Sequence, residues 1–138
     1  TGYSAKKYML EYQADKPEIS NAPGNWRSIR FADVLLFHAE AANETGNIDA
    51  ALESLNRVRR RVSMPPVTLR DQAELRDAIY HERRVELGLE GHRFFDLVRQ
   101  GRAAEVLGEN GFIEGKHEYF PIPQLELDVC NKIVQNPY

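Results

Sequence analysis

The charged residues of Tyr80–Gly101, YHERRVELGLEGHRFFDLVRQG, are the ones whose types and spacing suggest chemistry. Glu82, Glu86, Glu90 and Asp96 fall close together along this stretch. Paired carboxylates can hydrolyse a glycosidic bond, one as acid and the other as base or nucleophile. The acid of such a pair must hold its proton, through burial or a neighbouring like charge. Here each carboxylate has arginines within one or two helical turns, which favour the ionised form. The pattern therefore predicts a structural ion network rather than acid/base machinery, and no catalytic residue. Metal chemistry fares no better. His81-Glu82 opens an H-E-x-x-H spacing, but Val85 stands where the second histidine belongs, and His38, His92 and His117 are scattered. No metal and no cofactor are expected, and His38 reads as a core histidine. Cys130 is the single cysteine, with no base near it in sequence, and reads as a small core or interface residue.

Sugar binding needs aromatic faces to stack on and polar side chains to fix hydroxyls. Trp26, with Asn21 and Asn25 beside it, has that chemistry, as do Tyr3, Tyr8 and Tyr12. Trp26 also stands just before a helix, where an aromatic residue can staple the helix to the core. Both readings hold for it, staple first and ligand contact second.

These side chains need elements to position them. Helical spacing places Leu75, Ile79, Glu82, Glu86 and Leu89/Glu90 on one track, so carboxylates continue an apolar stripe. Charge on an inward stripe must be paired. Arg93 and Arg99 are the expected partners, with Arg83 and Arg84 pointing elsewhere. Gly91 suits the end of that helix. HRFFDLVRQG then reads as a second short helix, with Phe94 and Phe95 in the core and the two helices stitched at their corner. Arg30 and Asp33 lie three apart on an earlier helix and either pair locally or reach the later charges. The expected network is Arg30, Asp33, Glu82, Glu86, Glu90, Arg93, Asp96 and Arg99.

The rest of the chain is organised around helices. Arg30–Glu44 is helical with Phe31, Val34, Leu35, His38, Ala39 and Ala42 inward. After the Gly46-Asn47 turn, Ile48–Val62 is a second helix, with Ile48, Ala51, Leu52, Leu55, Val58 and Val62 inward. So short a turn implies antiparallel packing. The pair resembles one tetratricopeptide repeat, with Ala39, Gly46, Ala51 and Leu55 at the small, turn, small and bulky positions. Met64-Pro65-Pro66 ends the second helix. Thr68 or Asp71 caps a third, Gln72–Glu90, with Glu74 completing a capping box after Asp71. A turn of helix at Arg102–Leu107, a glycine-rich loop, an extended Pro121-Ile122-Pro123, a short helix at Gln124–Cys130 and a tail complete the chain. The fold class is mostly α: a tetratricopeptide-like helix pair plus further helices and an irregular, loop-rich C-terminal segment. Residues 1–138 read as a single domain, with 1–25 an irregular entry.

The composition sets limits. The chain has 138 residues, 42% of them hydrophobic, enough for one core. Its net charge of −3 argues against nucleic acid as a partner. The basic run Arg57–Arg61, RVRRR, spreads around a helix and reads as a solvated face. There is no apolar span of about 18 residues and no secretory leader. With Thr1 first, the sequence reads as part of a longer or processed protein.

One resemblance gathers these features. ERRVELGLEGHRFFDLVRQG is similar to the signature of the SusD/RagB family, E-R-R-x-E-L-x-x-E-G-x-R-[WF]-x-D-L-x-R-x-G. Glu82, Arg83, Arg84, Glu86, Leu87, Glu90, Gly91, Arg93, Phe94, Asp96, Leu97, Arg99 and Gly101 meet it. Arg30-Phe31-Ala32-Asp33 resembles the family's R-[YF]-A-[DE] opening. YFPIPQLELDVCNKIVQNPY resembles its closing segment, without the glycine expected between Pro137 and Tyr138. The resemblance implies the C-terminal portion of a nutrient-binding lipoprotein of the outer-membrane surface. It implies non-covalent capture of an oligosaccharide, not catalysis, and a SusC-type TonB-dependent transporter as partner. It also implies that lipid anchor and signal peptide lie outside this sequence. The rival reading is a tetratricopeptide-like module that binds protein segments.

Overall fold

The computed structural model describes residues 27–137, which are helical with no strand among them. The entry segment 1–25 and the ligand candidates Asn21, Asn25 and Trp26 lie outside the described residues. The chain falls into two compact units, Thr1–Leu89 and Glu90–Tyr138. No helix among the described residues is long and apolar enough to cross a membrane.

Among the described residues, the first unit is built on three helices: α1 (Phe31–Glu44), α2 (Ile48–Arg61) and α3 (Gln72–Glu86). α1 is the central element and packs against both others, whereas α2 and α3 touch only lightly. The α1–α2 turn is closed by Gly46 at φ +78, a left-handed position where a Cβ would be strained. Asn47 then caps α2 by accepting from the Ala50 N–H. Leu36, Ala39, Ala42, Ala51, Leu52, Leu55, Val58, Leu75 and Ile79 form one core, where Ala39 and Ala51 are fully buried. The extended link between α2 and α3 is held by Asn56. Its amide accepts from the Val67 N–H (2.7 Å) and donates to the Val67 carbonyl (2.9 Å). Asp71 caps α3, accepting from Ala73 and Glu74.

The first unit departs from the periodicity in four places. α1 is rotated so that Asp33, Leu36, Ala39, Ala42 and Asn43 are buried, while Phe31, Val34 and His38 are exposed. The rotation follows from α1 having two neighbours: its inward arc must serve α2 and α3 together, and Asp33 has to meet an arginine of α3. His38 is therefore no core histidine; its Nδ1 lies 2.8 Å from the Ser54 hydroxyl at the edge of the helix pair. Val62, expected inward, follows the last turn of α2 and is exposed. α3 stops at Glu86 instead of Glu90. Gly88, a poor helix former, is followed by Leu89 at φ +65, which no α-helix can accommodate. Leu89 is exposed in consequence, and Leu87 is the buried residue.

The second unit holds short helices: α4 (Arg93–Arg99), α5 (Ala103–Leu107) with a 3₁₀ turn at Gly108–Asn110, and α6 (Gln124–Val129). Phe94 is its aromatic centre, with ring centroids 5.7 Å from Phe95, 6.3 Å from Phe112 and 6.3 Å from Phe120. The first two are edge-to-face contacts, which add to simple area burial, and the third is tilted. Phe95, expected in the core, is exposed because a helix of seven residues has few neighbours to cover both its faces. The tail is tied back by Gln135, whose amide accepts from the Ile122 N–H (2.8 Å) and donates to the Ile122 carbonyl (2.9 Å). Asn136 donates to the Phe120 carbonyl (2.8 Å). Two prolines around Ile122 leave that backbone without helix or strand partners, so side-chain amides supply them.

Candidate functional site

The charged cluster of the first unit is assembled by α1 crossing α3, with α2 supplying arginines from the side. Arg83 and Asp33 are both buried, and Arg83 Nη1 donates to Asp33 Oδ1 at 2.9 Å. The Phe37 ring lies under the same guanidinium, 4.2 Å from its carbon. One turn away, Glu86 Oε1 accepts from Arg30 Nη1 at 2.6 Å, while Arg61 Nη2 reaches both carboxylate oxygens at 2.8 Å. Arg30 also donates to the Glu86 carbonyl. Glu82 is bound by Arg59 of α2 at 2.5 Å, and Arg59 Nε donates to the Pro65 carbonyl. At the other end of α1, Glu44 accepts two hydrogen bonds from Arg76 of α3, at 2.6 and 2.7 Å. Those bonds hold the Glu44 carboxyl below the usual carboxylate range, and the same partner holds Arg76 above its own.

The residues named from the sequence do not form one constellation. Arg30, Asp33, Glu82 and Glu86 come together in the first unit. Asp96 is bound by Arg99, three residues along α4, at 2.9 Å. Glu90 and Arg93 are half-buried, and neither lacks a partner. The arginines that take Glu82 and Glu86 are Arg59, Arg30 and Arg61, in place of the expected Arg93 and Arg99. The larger correction concerns Arg83. Expected to point away, it is almost fully buried and answers Asp33. Glu82 and Arg83 are neighbours on α3, so its inward face is wide enough to hold both. Arg59 and Arg61 were hidden in a basic run that looks solvated as a block. Only their positions beside Val58, on the core face of α2, distinguish them.

Chemically, this is a cluster of paired charges. Each buried carboxylate accepts from at least one guanidinium, a directional contact that suits the orientation of packed helices. Among the described residues no group of three or more His, Cys, Asp or Glu could hold a metal ion. His81, the start of the H-E-x-x-H spacing, is exposed.

A groove of about 420 Å³ opens beside the cluster, between α1 and α2. Arg30, Phe31, Ala32, Leu35, Arg57, Val58 and Arg61 line it. The Arg57 guanidinium lies over the Phe31 ring, 4.9 Å from its centroid.

Comparison with known proteins places this architecture. A family profile described as the SusD family matches residues 1–138. SusD-like protein P38 of Formosa agariphila is 40% identical over 97 residues, covering 63% of this chain and 19% of its own length. SusD-like protein P25 of the same organism is 34% identical over 139 residues, covering 92% of this chain and 26% of its own length. Among solved structures, a protein described as a laminarin-binding SusD-like protein is 47% identical, with a TM-score of 0.68. That alignment covers 79% of this chain and 22% of the other. The chain thus spans about a quarter or less of the length of the relatives it matches.

Proposed function

The chain belongs to the SusD family, and on that premise we propose that it is the ion-paired helical part of a non-enzymatic glycan-binding protein. In this reading the protein stands at the outer-membrane surface, captures an oligosaccharide, and passes it to a SusC-type TonB-dependent transporter. The observation that carries the non-enzymatic reading is the state of Glu82 and Glu86. Both are held by arginines from other parts of the fold, at 2.5 and 2.6 Å, so their oxygens are already engaged in contacts between helices. The oligosaccharide ligand is supported by the laminarin-binding relative, which is 47% identical.

The test is calorimetry against laminari-oligosaccharides and a wider glycan panel, with reducing ends assayed alongside. A sugar pocket needs stacking aromatics and several convergent polar groups. The groove described above supplies arginines and an apolar floor, and the candidates Trp26, Asn25 and Asn21 remain a proposal. The 138-residue chain alone is therefore expected to bind with Kd above ~1 mM, at most about 4 kcal/mol of binding free energy. A polypeptide of the relatives' length that carries it is expected to bind without turnover. Release of reducing ends would overturn the non-enzymatic reading. Micromolar binding by the chain alone, lost in Trp26→Ala, would place the ligand site here and make Trp26 a sugar contact.

A further inference from the structure

Asparagine followed by glycine is a self-reactive pair. The glycine nitrogen can close on the asparagine side-chain carbonyl, because no Cβ stands in the way and the glycine backbone is free to turn. Asn110-Gly111 is the only such pair in the sequence. The structure singles it out a second time. Asn43 is fully buried and bonded to the Gln72 carbonyl, Asn47 caps α2, Asn56 holds Val67 and Asn136 holds the Phe120 carbonyl. Asn136 is also followed by Pro137, which has no N–H, and exposed Asn131 by Lys132, whose side chain crowds the attack. Asn110 is exposed, and its side-chain amide bonds to no described residue. It closes the 3₁₀ turn after α5, and Gly111 follows it at φ +88. The Gly111 N–H donates to the Gly108 carbonyl at 2.9 Å, and the Phe112 N–H to the Leu107 carbonyl at 3.2 Å. This is the Schellman arrangement, with Gly111 as its left-handed residue. A Cβ at Gly111 would meet nothing within 4 Å, so that side of the junction is open. What restrains the Gly111 nitrogen is its bond to Gly108. Phe112 completes the latch, with its ring 6.3 Å from Phe94 and 5.9 Å from His117.

We propose that Asn110-Gly111 is a self-modification site, gated by this latch, whose isoaspartate product releases Phe112. When the turn opens, the Gly111 nitrogen gives up its proton and bonds to Asn110 Cγ. The Cγ–Nδ2 bond breaks and ammonia leaves with that proton, closing a five-membered succinimide. Water then adds at one of its two carbonyls. Addition at Cγ restores the main chain and leaves aspartate at position 110; addition at the main-chain carbonyl leaves isoaspartate. Nothing is oxidised or reduced. Isoaspartate lengthens the main chain by one carbon between Leu107 and Phe112, so the two Schellman bonds no longer close in register. The reaction runs only through the locally opened fraction, so the latch sets its rate.

The folded 138-residue chain and a synthetic peptide of residues 103–116 are held in warm, mildly alkaline buffer. Trypsin releases the same segment from the chain, between Arg102 and Lys116, for mass spectrometry, and a carboxyl methyltransferase tags isoaspartate. Asn110 is expected to convert before any other asparagine. It is expected to do so about tenfold more slowly in the folded chain than in the peptide, the ratio set by an opening free energy of about 1.4 kcal/mol. Phe112→Ala loosens the latch and is expected to bring the chain to within about threefold of the peptide's rate. Asn110→Gln, which would need a six-membered ring, is expected to leave this segment unmodified. In the isoaspartate fraction the Phe112 amide is expected to exchange its hydrogen faster, while that of Leu75 in α3 is unchanged. Earlier conversion of another asparagine, or none at Asn110 while the peptide is consumed, would overturn the site. Equal rates in chain and peptide would overturn the gate, and unchanged exchange at Phe112 would overturn its release.

Discussion

The buried pair Asp33–Arg83 offers the sharpest test of how this fold is held. The partners meet at 2.9 Å, with side-chain exposures of 4% and 1%. At an effective dielectric of about 20, two unit charges at that separation attract by roughly 6 kcal/mol, against a desolvation cost of several kcal/mol per ion. The pair as a whole is then near neutral in net stability, but each partner is costly without the other. Asp33→Asn leaves a guanidinium that stays charged; the Phe37 ring at 4.2 Å offsets part of that cost, about 1 kcal/mol. Arg83→Met leaves a carboxylate in the first turn of α1, where the helix dipole returns about 0.5 kcal/mol. Each single variant is expected to lose about 3 kcal/mol in equilibrium urea unfolding. The double variant Asp33→Asn with Arg83→Met removes both charges and is expected to cost no more than either single change. The coupling energy is then about 3 kcal/mol. Additive losses, or single losses below about 0.5 kcal/mol, would place this pair in water and refute the reasoning.

Further expectations follow the same geometry. Glu82→Gln should cost about 2 kcal/mol by the same unfolding assay, because it leaves Arg59, only 16% exposed, without its carboxylate. Ala51→Leu should cost about 2 kcal/mol through overpacking, since Ala51 is fully buried in the core shared by the three helices. Carbon-detected titration of Glu44 should show its carboxyl below the usual range in the wild type and back toward it in Arg76→Gln. The Glu44 contribution has a folded value depressed below the unfolded one. It is thus present above the usual carboxylate range and lost as pH falls through the folded value; an unshifted Glu44 would contradict the paired geometry. Gln135→Ala should free the Ile122 amide, speeding its hydrogen exchange and costing about 1 to 2 kcal/mol in the second unit. Unchanged protection at Ile122 would mean the tail is held by something else.

The helices were legible because their signals are local. Asp71 announced α3, Gly46-Asn47 announced the turn, and α1 and α2 begin and end within a residue of the periodicity. What periodicity could not deliver was the rotation of a helix with two neighbours. α1 has apolar residues on most of its circumference, so Phe31 and Val34 fitted an inward stripe as well as Leu36 did. Only the position of α3 decides between them. The charges were legible as a network that must be paired, because carboxylates continued the stripe begun by Leu75 and Ile79. Their partners were not, since the sequence favours near neighbours and the true partners of Glu82 and Glu86 come from 23 to 56 residues away. Gln135 and Asn56 escaped notice for a related reason. A single amide that serves a distant backbone leaves no periodic trace.

The pairs between α1 and α3 run in opposite directions along the chain: Arg30 with Glu86, Asp33 with Arg83, Asn43 with Gln72, and Glu44 with Arg76. They mark two antiparallel helices tied at both ends. At one end the arrangement is a two-rung ladder in which R-x-x-D on α1 faces R-x-x-E on α3. A slip of one turn in one direction would set Asp33 opposite Glu86. A slip in the other would set Arg30 opposite Arg83. Either way like charges would meet in a partly dry interface, at a cost that no apolar contact in the neighbourhood recovers. An apolar pair of similar size at positions 33 and 83 could match the stability, because leucine tolerates a slipped neighbour, but it would not exclude the slip. The charges buried here therefore act less as adhesive than as a register pin. The pin also fixes where the N-terminal turn of α1 lies against Arg61 of α2, through the carboxylate of Glu86 that both Arg30 and Arg61 hold. The groove beside it inherits its shape from that shared carboxylate, so Glu86 links the packing of the three helices to the surface they present.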